Sequence, residues 1–222
     1  MKDVGILFDL DGTLLDTLED LADATNFVMD TFGFPRRTIE EVRRFVGNGA
    51  MGLIRLAVPE GTAPDRAEEA FRAFQTHYRA NCQKKTRAYD GIPQVLAWLK
   101  DQGYPVAIVS NKPDAAVKVL CADYFPGLYA RGEAPDCPRK PAPDMAWKAA
   151  EYLGVKPERC IYVGDSDVDV RTARNAGMEP LSVLWGFRDE QEIRAAGGIH
   201  FCRTPAELPE IVIELEKQIN GL

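Results

Sequence analysis

Histidine and cysteine are scarce in this sequence, and neither forms a recognisable metal or disulfide pattern. The two histidines, His77 and His200, lie far from every other candidate catalytic residue. We therefore expect both to be structural or surface residues. The five cysteines are odd in number and scattered, with no CxxC pair. That distribution favours reduced thiols over a disulfide framework or a zinc site.

Clusters of positive charge and long apolar runs are also absent. Neighbouring basic residues form only short pairs, such as 36–37 and 84–85, in a chain of net charge −7. This argues against nucleic-acid binding. No run is long enough to span a membrane, and the N-terminal run is too short and too acidic for a signal peptide. We expect a cytoplasmic protein that binds neither nucleic acid nor membranes, as a monomer or a homodimer.

Short apolar runs without polar alternation are separated by helical patterns over most of the chain. The runs are residues 4–8, 105–109, 160–163 and 181–185. The helical patterns between and after them are residues 92–102, 113–122, 143–153 and 167–176. Unalternated apolar strands are typical of parallel sheets that are covered on both faces. The order predicts an α/β fold, a Rossmann-like doubly wound parallel sheet.

Residues 17–87 interrupt this alternation, because they show helical periodicity and no convincing strand. The helical patterns there are residues 18–32, 39–46, 51–58 and 65–84. We therefore expect two domains. Residues 1–16 and 88–222 would form the α/β core, and residues 17–87 would form an inserted all-helical cap domain.

Carboxylates and other polar groups follow the expected strands, at the edge where parallel α/β sheets bind ligands. The residues at this edge, together with one loop lysine, are Asp9, Asp11, Ser110, Asn111, Lys140, Asp165 and Asp169. Asp9 and Asp11 would face the same side if the strand stays extended through them. Adjacent carboxylates repel unless a cation intervenes, and an oxygen-only set suits Mg²⁺ better than zinc or copper. One carboxylate could then attack phosphorus while the other acts as general acid and base.

Four motifs occur in order along the chain and carry a family resemblance. They are DLDGT at 9–13, the serine at 110, KPAPD at 140–144 and GDSDVD at 164–169. With these motifs the sequence resembles the haloacid dehalogenase superfamily of phosphatases over its whole length. The resemblance implies the same fold, with a helical cap inserted after the first strand. It also implies phosphoryl transfer rather than dehalogenation, because the dehalogenases lack an acid corresponding to Asp11.

The resemblance implies a role for each of these residues. Asp9 would attack the phosphoryl group and form an aspartyl-phosphate, and Asp11 would protonate the leaving oxygen and later deprotonate water. Mg²⁺ would be held by the side chains of Asp9 and Asp165 and the backbone carbonyl of Asp11. Ser110 and Lys140 would be catalytic, and Asp169 would orient the metal ligands without being a ligand itself. The implied substrate-binding residues are Thr13, Ser110, Asn111, Gly47, Asn48 and Gly49.

Two further segments, FVGNGAMGL at 45–53 and WGF at 185–187, look like those of phosphoglycolate phosphatases and their near relatives. Phe187 departs from the WGY form that is frequent there. We expect a Mg²⁺-dependent phosphatase of small phosphate monoesters, with 2-phosphoglycolate as the lead substrate. A pyrophosphatase, nucleotidase or phosphomutase of the same superfamily is the alternative. A phospho-accepting signalling domain without turnover is the alternative from another class.

Two patterns have simpler interpretations. Gly47, Gly49 and Gly52 spell GxGxxG, but no strand is expected before them, so the dinucleotide-binding interpretation fails. A turn between two helices of the cap fits better. Arg188 follows WGF and could reach an anionic substrate, but we expect a surface arginine.

Overall fold

The structure is a computed structural model that describes residues 2–221 and divides the chain into two compact units. The core unit combines the residues up to Leu15 with those from Ala88 onward, and the helical unit is Asp16–Arg87. The strands in chain order are β1 (Gly5–Phe8), β2 (Leu15–Asp16), β3 (Arg87–Ala88), β4 (Val106–Pro113), β5 (Tyr129–Glu133), β6 (Cys160–Gly164), β7 (Glu179–Val183) and β8 (His200–Cys202). The helices are α1 (Leu18–Phe32), α2 (Ile39–Phe45), α3 (Gly49–Ala57), α4 (Pro64–Asn81), α5 (Ile92–Asp101), α6 (Asp114–Tyr124), α7 (Asp144–Leu153), α8 (Asp167–Ala176), α9 (Glu190–Ala195) and α10 (Leu208–Ile219).

Six strands of the core unit form one sheet in the order β5-β4-β1-β6-β7-β8, and every neighbouring pair is parallel. The central strands β1 and β6 are buried along their whole length. That burial explains their unbroken apolar sequences, because helices cover both faces of such a sheet. The predicted α/β fold with a doubly wound parallel sheet is confirmed.

The main differences from the expected elements lie at the sheet edges and at strand ends. The edge strands β5 and β8 and the helices α9 and α10 were not expected. β4 continues through residues 110–113, which the sequence had placed after the strand. β7 ends at Val183, so Trp185 lies outside the strand that residues 181–185 predicted. Its indole nitrogen donates instead to the carbonyl of Thr13 at 3.0 Å.

The helical unit contains α1 to α4. α1 ends at Gly33, whose φ of 69° is in the left-handed region that favours glycine. α2 begins with a capping box, in which the Thr38 hydroxyl accepts from the Glu41 amide and the Glu41 carboxylate accepts from the Thr38 amide. Inside the unit, the buried Asp20 carboxylate accepts hydrogen bonds from the Lys85 and Thr86 amides. The predicted helix over 65–84 ends earlier, at Asn81.

None of the helices in the described part of the chain is both long and apolar enough to cross a lipid bilayer.

All five cysteines are free thiols and are buried. Burial raises the pKa of the Cys121, Cys160 and Cys202 thiols to about 12 in each case. The thiolate is the reactive form, so these residues should be inert at neutral pH. We expect the native protein to react slowly with Ellman's reagent and the urea-unfolded protein to release five equivalents of chromophore. Rapid modification of a native thiol would contradict the buried placement.

Candidate active site

Asp9 leaves the sheet directly after β1. Its amide donates to the carbonyl of Val163 at 2.9 Å, which ties it to the end of β6. Its carboxylate Oδ1 accepts from the Leu10 amide at 2.7 Å and lies 2.8 Å from Lys140 Nζ. The parallel register pairs Phe8 with Val163, so Asp9 and the start of the 164–169 motif share one sheet edge.

The backbone turns immediately after Asp9. The amides of Leu14 and Leu15 both donate to the carbonyl of Leu10, and Gly12 adopts a φ of 82°. β1 ends at Phe8, so the strand does not continue through Asp9 and Asp11, and the chain enters a tight turn after Leu10. The Asp11 carboxylate instead lies 3.0 Å from Lys112 Nζ.

Asp165 is the buried carboxylate at the end of β6. Its Oδ2 accepts from the Phe187 amide at 2.7 Å and its Oδ1 from the Thr13 hydroxyl at 3.2 Å. A Cβ atom at Gly12 would lie 2.4 Å from Asp165 Oδ2, and one at Gly186 would lie 2.5 Å from it. Both positions require glycine, since a side chain would occupy the space of the carboxylate.

Asp169 lies in the first turn of α8, where its carboxylate faces Asp9. Its Oδ2 accepts from the amide and hydroxyl of Ser166, and its Oδ1 accepts from Lys140 Nζ at 2.8 Å. Lys140 is 3% exposed. Its amide donates to the Asn111 side chain at 2.7 Å, and its carbonyl accepts from that side chain at 3.0 Å. The Asn111 side chain thus fixes the backbone of Lys140, although that residue lies in a loop.

Burial and mutual repulsion control the charge of this cluster. Burial raises the pKa of Asp9 well above its usual range, Asp169 and Asp165 raise it further, and Lys140 only partly offsets them. Burial, followed by the charge of Asp169, raises the pKa of Asp165 to about 7. Burial alone would lower the pKa of Lys140, but Asp169 and Asp9 outweigh it and raise that pKa. The cluster therefore has an excess of negative charge that a further cation would relieve.

The donor atoms fit a hard divalent cation. Carboxylate oxygens of Asp9, Asp165 and Asp169 all lie within 4.8 Å of one another. Oxygen ligands of this kind suit Mg²⁺. All three also accept hydrogen bonds from protein groups: Asp9 from the Leu10 amide, Asp165 from Thr13 and Phe187, and Asp169 from Ser166 and Lys140.

The remaining predicted residues are placed as follows. Ser110 is 1% exposed on β4, and its hydroxyl accepts from the Lys112 amide at 3.1 Å. Thr13 is fully buried and orients Asp165 through its hydroxyl. Gly47 and Gly49 belong to the helical unit, with φ values of 117° and 75°.

The GxGxxG segment follows α2 rather than a strand and leads into α3, as expected for a turn between two helices. Asn48 immediately precedes α3, and Gly49 is the first residue of that helix. The assignment of Gly47, Asn48 and Gly49 to substrate binding stays a prediction.

Two residues have a different position from the one expected from the sequence. Lys112 is not among the site residues predicted from the sequence, yet its side chain is 4% exposed and lies beside Asp11. Arg188 was expected at the surface, but its side chain is only 11% exposed and its Nε lies 4.0 Å from Asp167 Oδ1. That expectation was wrong, because the guanidinium group lies beside Asp167 at the start of α8 and is mostly covered. The sequence offers one signal for Lys112, because the apolar run 105–109 leads directly into SNKP at 110–113.

Comparisons with known proteins agree with this geometry. The family model for haloacid dehalogenase-like hydrolases matches residues 6–183. The chain belongs to the haloacid dehalogenase-like hydrolase family. The matched region spans the acidic residues after β1 and β6, the serine on β4 and the buried lysine described above.

Relatives of this haloacid dehalogenase-like hydrolase include phosphatases. A phosphoglycolate phosphatase of Nitrosococcus oceani is 34% identical over 198 residues, covering 85% of this chain and 87% of the relative. A phosphoglycolate phosphatase of Aquifex aeolicus is also 34% identical, covering 82% and 85%. The crystal structure of a candidate phosphoglycolate phosphatase from Lactobacillus delbrueckii subsp. bulgaricus superposes with a TM-score of 0.90 at 33% identity, covering 96% of this chain and 99% of that one. This hydrolase is therefore one of the phosphatases of the family.

Proposed function

We propose that this phosphatase is Mg²⁺-dependent and hydrolyses small phosphate monoesters, with 2-phosphoglycolate as the lead substrate. The observation that carries the proposal is the buried cluster in which Lys140 lies 2.8 Å from both Asp9 and Asp169, with Asp165 alongside. Three carboxylates and one ammonium group carry excess negative charge, which suits a metal ion and a phosphoryl group together. The names of these two relatives support 2-phosphoglycolate as the first substrate to test.

Each residue would have a defined part in the reaction. Asp9 attacks phosphorus while the bond to the leaving oxygen breaks, and Asp11 donates its proton to that oxygen. Asp11 then takes a proton from the water that attacks the aspartyl-phosphate, which releases phosphate and restores the Asp9 carboxylate. Ser110 and the backbone amide of Asn111 would contact phosphoryl oxygens, and Lys140 would favour the ionised form of Asp9 and orient it.

Asp9, Asp165 and the backbone carbonyl of Asp11 would hold Mg²⁺, with Asp169 orienting them. When bound, the ion would supply positive charge at the phosphoryl oxygens. We also propose that the helical unit serves as the cap of the family, and that Gly47, Asn48 and Gly49 contribute to substrate selection from it. A small phosphorylated metabolite in the cytoplasm is the proposed substrate class.

We expect the purified protein to release phosphate from 2-phosphoglycolate and from p-nitrophenyl phosphate in the presence of Mg²⁺. Excess EDTA should abolish both activities, and added Mg²⁺ should restore them, because Asp9 and Asp165 lose the cation that offsets their repulsion. The measurement is phosphate release across a panel of sugar phosphates, nucleoside monophosphates and pyrophosphate. Full activity in EDTA would contradict metal dependence. Preference for another panel member would replace 2-phosphoglycolate as the lead substrate.

A further inference from the structure

We propose that Lys112 is a positioning residue that holds the Asp11 carboxylate apart from the other acids and directs it toward the leaving-group oxygen. The proposal rests on the proposed function, in which Asp11 is the general acid. It adds a residue that the four motifs do not assign.

The first argument is that two lysines separate the four carboxylates into two groups. Lys140 Nζ lies 2.8 Å from both Asp9 and Asp169. Lys112 Nζ lies 3.0 Å from Asp11 Oδ1. The cluster of carboxylates within 4.8 Å of one another contains Asp9, Asp165 and Asp169 but not Asp11. A carboxylate that must donate a proton to the leaving oxygen has to stay out of the metal-binding group. Lys112 lies where its ammonium group can hold the Asp11 carboxylate away from that group.

The second argument is that close contacts hold the backbone around Lys112. Its amide donates to the Ser110 hydroxyl at 3.1 Å. The neighbouring strand β5 approaches so closely that a Cβ atom at Gly132 would lie 2.6 Å from the Lys112 carbonyl oxygen and 2.6 Å from Asp114 Cα. The Gly132 amide also donates to the Asp114 carboxylate at 2.9 Å. A side chain that starts from a backbone held in this way has a defined origin from which to orient its partner.

The third argument concerns the cost of burying the pair. The side chains of Lys112 and Asp11 are 4% and 13% exposed. Burying an ion pair requires desolvation of both charges, and apolar replacements of buried pairs are often as stable or more stable. Stability alone therefore does not account for a lysine at this position. Orientation of a reacting carboxylate does.

The test compares esters that differ in their need for a general acid. Ethyl phosphate needs a proton on its leaving alkoxide, whereas p-nitrophenolate leaves without one. We expect Lys112→Met to lower kcat/KM for ethyl phosphate about 10- to 100-fold, a large share of what general acid catalysis supplies. The kcat/KM for p-nitrophenyl phosphate should change less than about 3-fold, since departure of that group does not require the acid. Lys112→Arg should recover most of the lost activity, because it restores the cation.

The matched variant is Asp11→Asn, which should show the same selectivity for the leaving group. In the Asp11→Asn background, Lys112→Met should have no further effect on ethyl phosphate, because the two residues act through one interaction. Equal losses for both esters would overturn the proposal and indicate a structural or phosphate-binding role. Loss confined to 2-phosphoglycolate, with ethyl phosphate unaffected, would overturn it in favour of recognition of the substrate carboxylate.

Urea unfolding of each variant separates loss of folding from loss of positioning. If the Met variant does not fold, Lys112→Gln repeats the comparison with a polar neutral side chain. The proposed function fails on a different result, namely a wild-type protein that hydrolyses none of the esters. A wild-type protein that is active, with a Lys112→Gln variant equally active on ethyl phosphate, would overturn only the role of Lys112.

Discussion

Asp9→Asn is expected to abolish phosphate release while leaving the free energy of unfolding unchanged or higher. Asn has nearly the shape of Asp but cannot attack phosphorus, so kcat should fall by at least about 10⁴-fold, as for other nucleophile deletions. Stability should not fall, because Asp9 is buried and lies beside Asp165 and Asp169. Burial and those neighbours raise the pKa of Asp9 well above its usual range, which means that its charged form is destabilised in the metal-free protein.

The measurements for Asp9→Asn are phosphate release with Mg²⁺ and urea unfolding in EDTA. Asp101→Asn is the matched control, since Asp101 is exposed at the end of α5 in the same unit. The control should retain wild-type activity and stability. Activity of the Asp9 variant above a few per cent of wild type would show that another group attacks phosphorus. A marked loss of stability would show that the Asp9 charge stabilises the fold.

Strong local signals made much of the core predictable. The helix over 167–176 was predicted with its observed bounds, because Ser166 caps its start and Gly177 ends it in the left-handed region. The central strands were also recognisable, since burial on both faces leaves no polar alternation. The same logic places Asp9 and Asp165 at one sheet edge from the sequence alone.

The missed elements depend on partners that the local sequence does not contain. β5 contains Arg131 and Gly132 and is buried only at alternate positions, so it looks like a loop until β4 lies beside it. The orientation of Asp11 could not be predicted either, because it depends on a turn after Asp9 and on the reach of Lys112, which is about one hundred residues away. Local periodicity predicts which backbone forms a strand. It does not predict which long side chain reaches which carboxylate.

Lys140→Met is expected to reduce both activity and stability, in contrast to Asp9→Asn. The substitution removes the ammonium group that lies 2.8 Å from Asp9 and from Asp169, both of which are buried. Removing one partner from a buried ion pair costs about 3–5 kcal/mol, since the remaining charge is left uncompensated. We expect a loss of that size in the free energy of unfolding measured in EDTA. Phosphate release should fall by about 10²- to 10³-fold, the range seen when one fixed electrostatic contact to the reacting centre is removed.

Addition of Mg²⁺ distinguishes an electrostatic role of Lys140 from a role in packing. If the variant is destabilised by repulsion between Asp9, Asp165 and Asp169, a cation bound to Asp9 and Asp165 should recover part of the lost stability. The Mg²⁺-dependent gain in unfolding free energy should therefore be larger for Lys140→Met than for wild type. Lys148→Met is the control, because Lys148 forms an exposed ion pair with Asp136 at 3.2 Å and its loss should change little. An equal Mg²⁺ effect in the Lys140 variant and wild type would mean that Lys140 stabilises the fold through packing, and the charge balance proposed for this site would have to be abandoned.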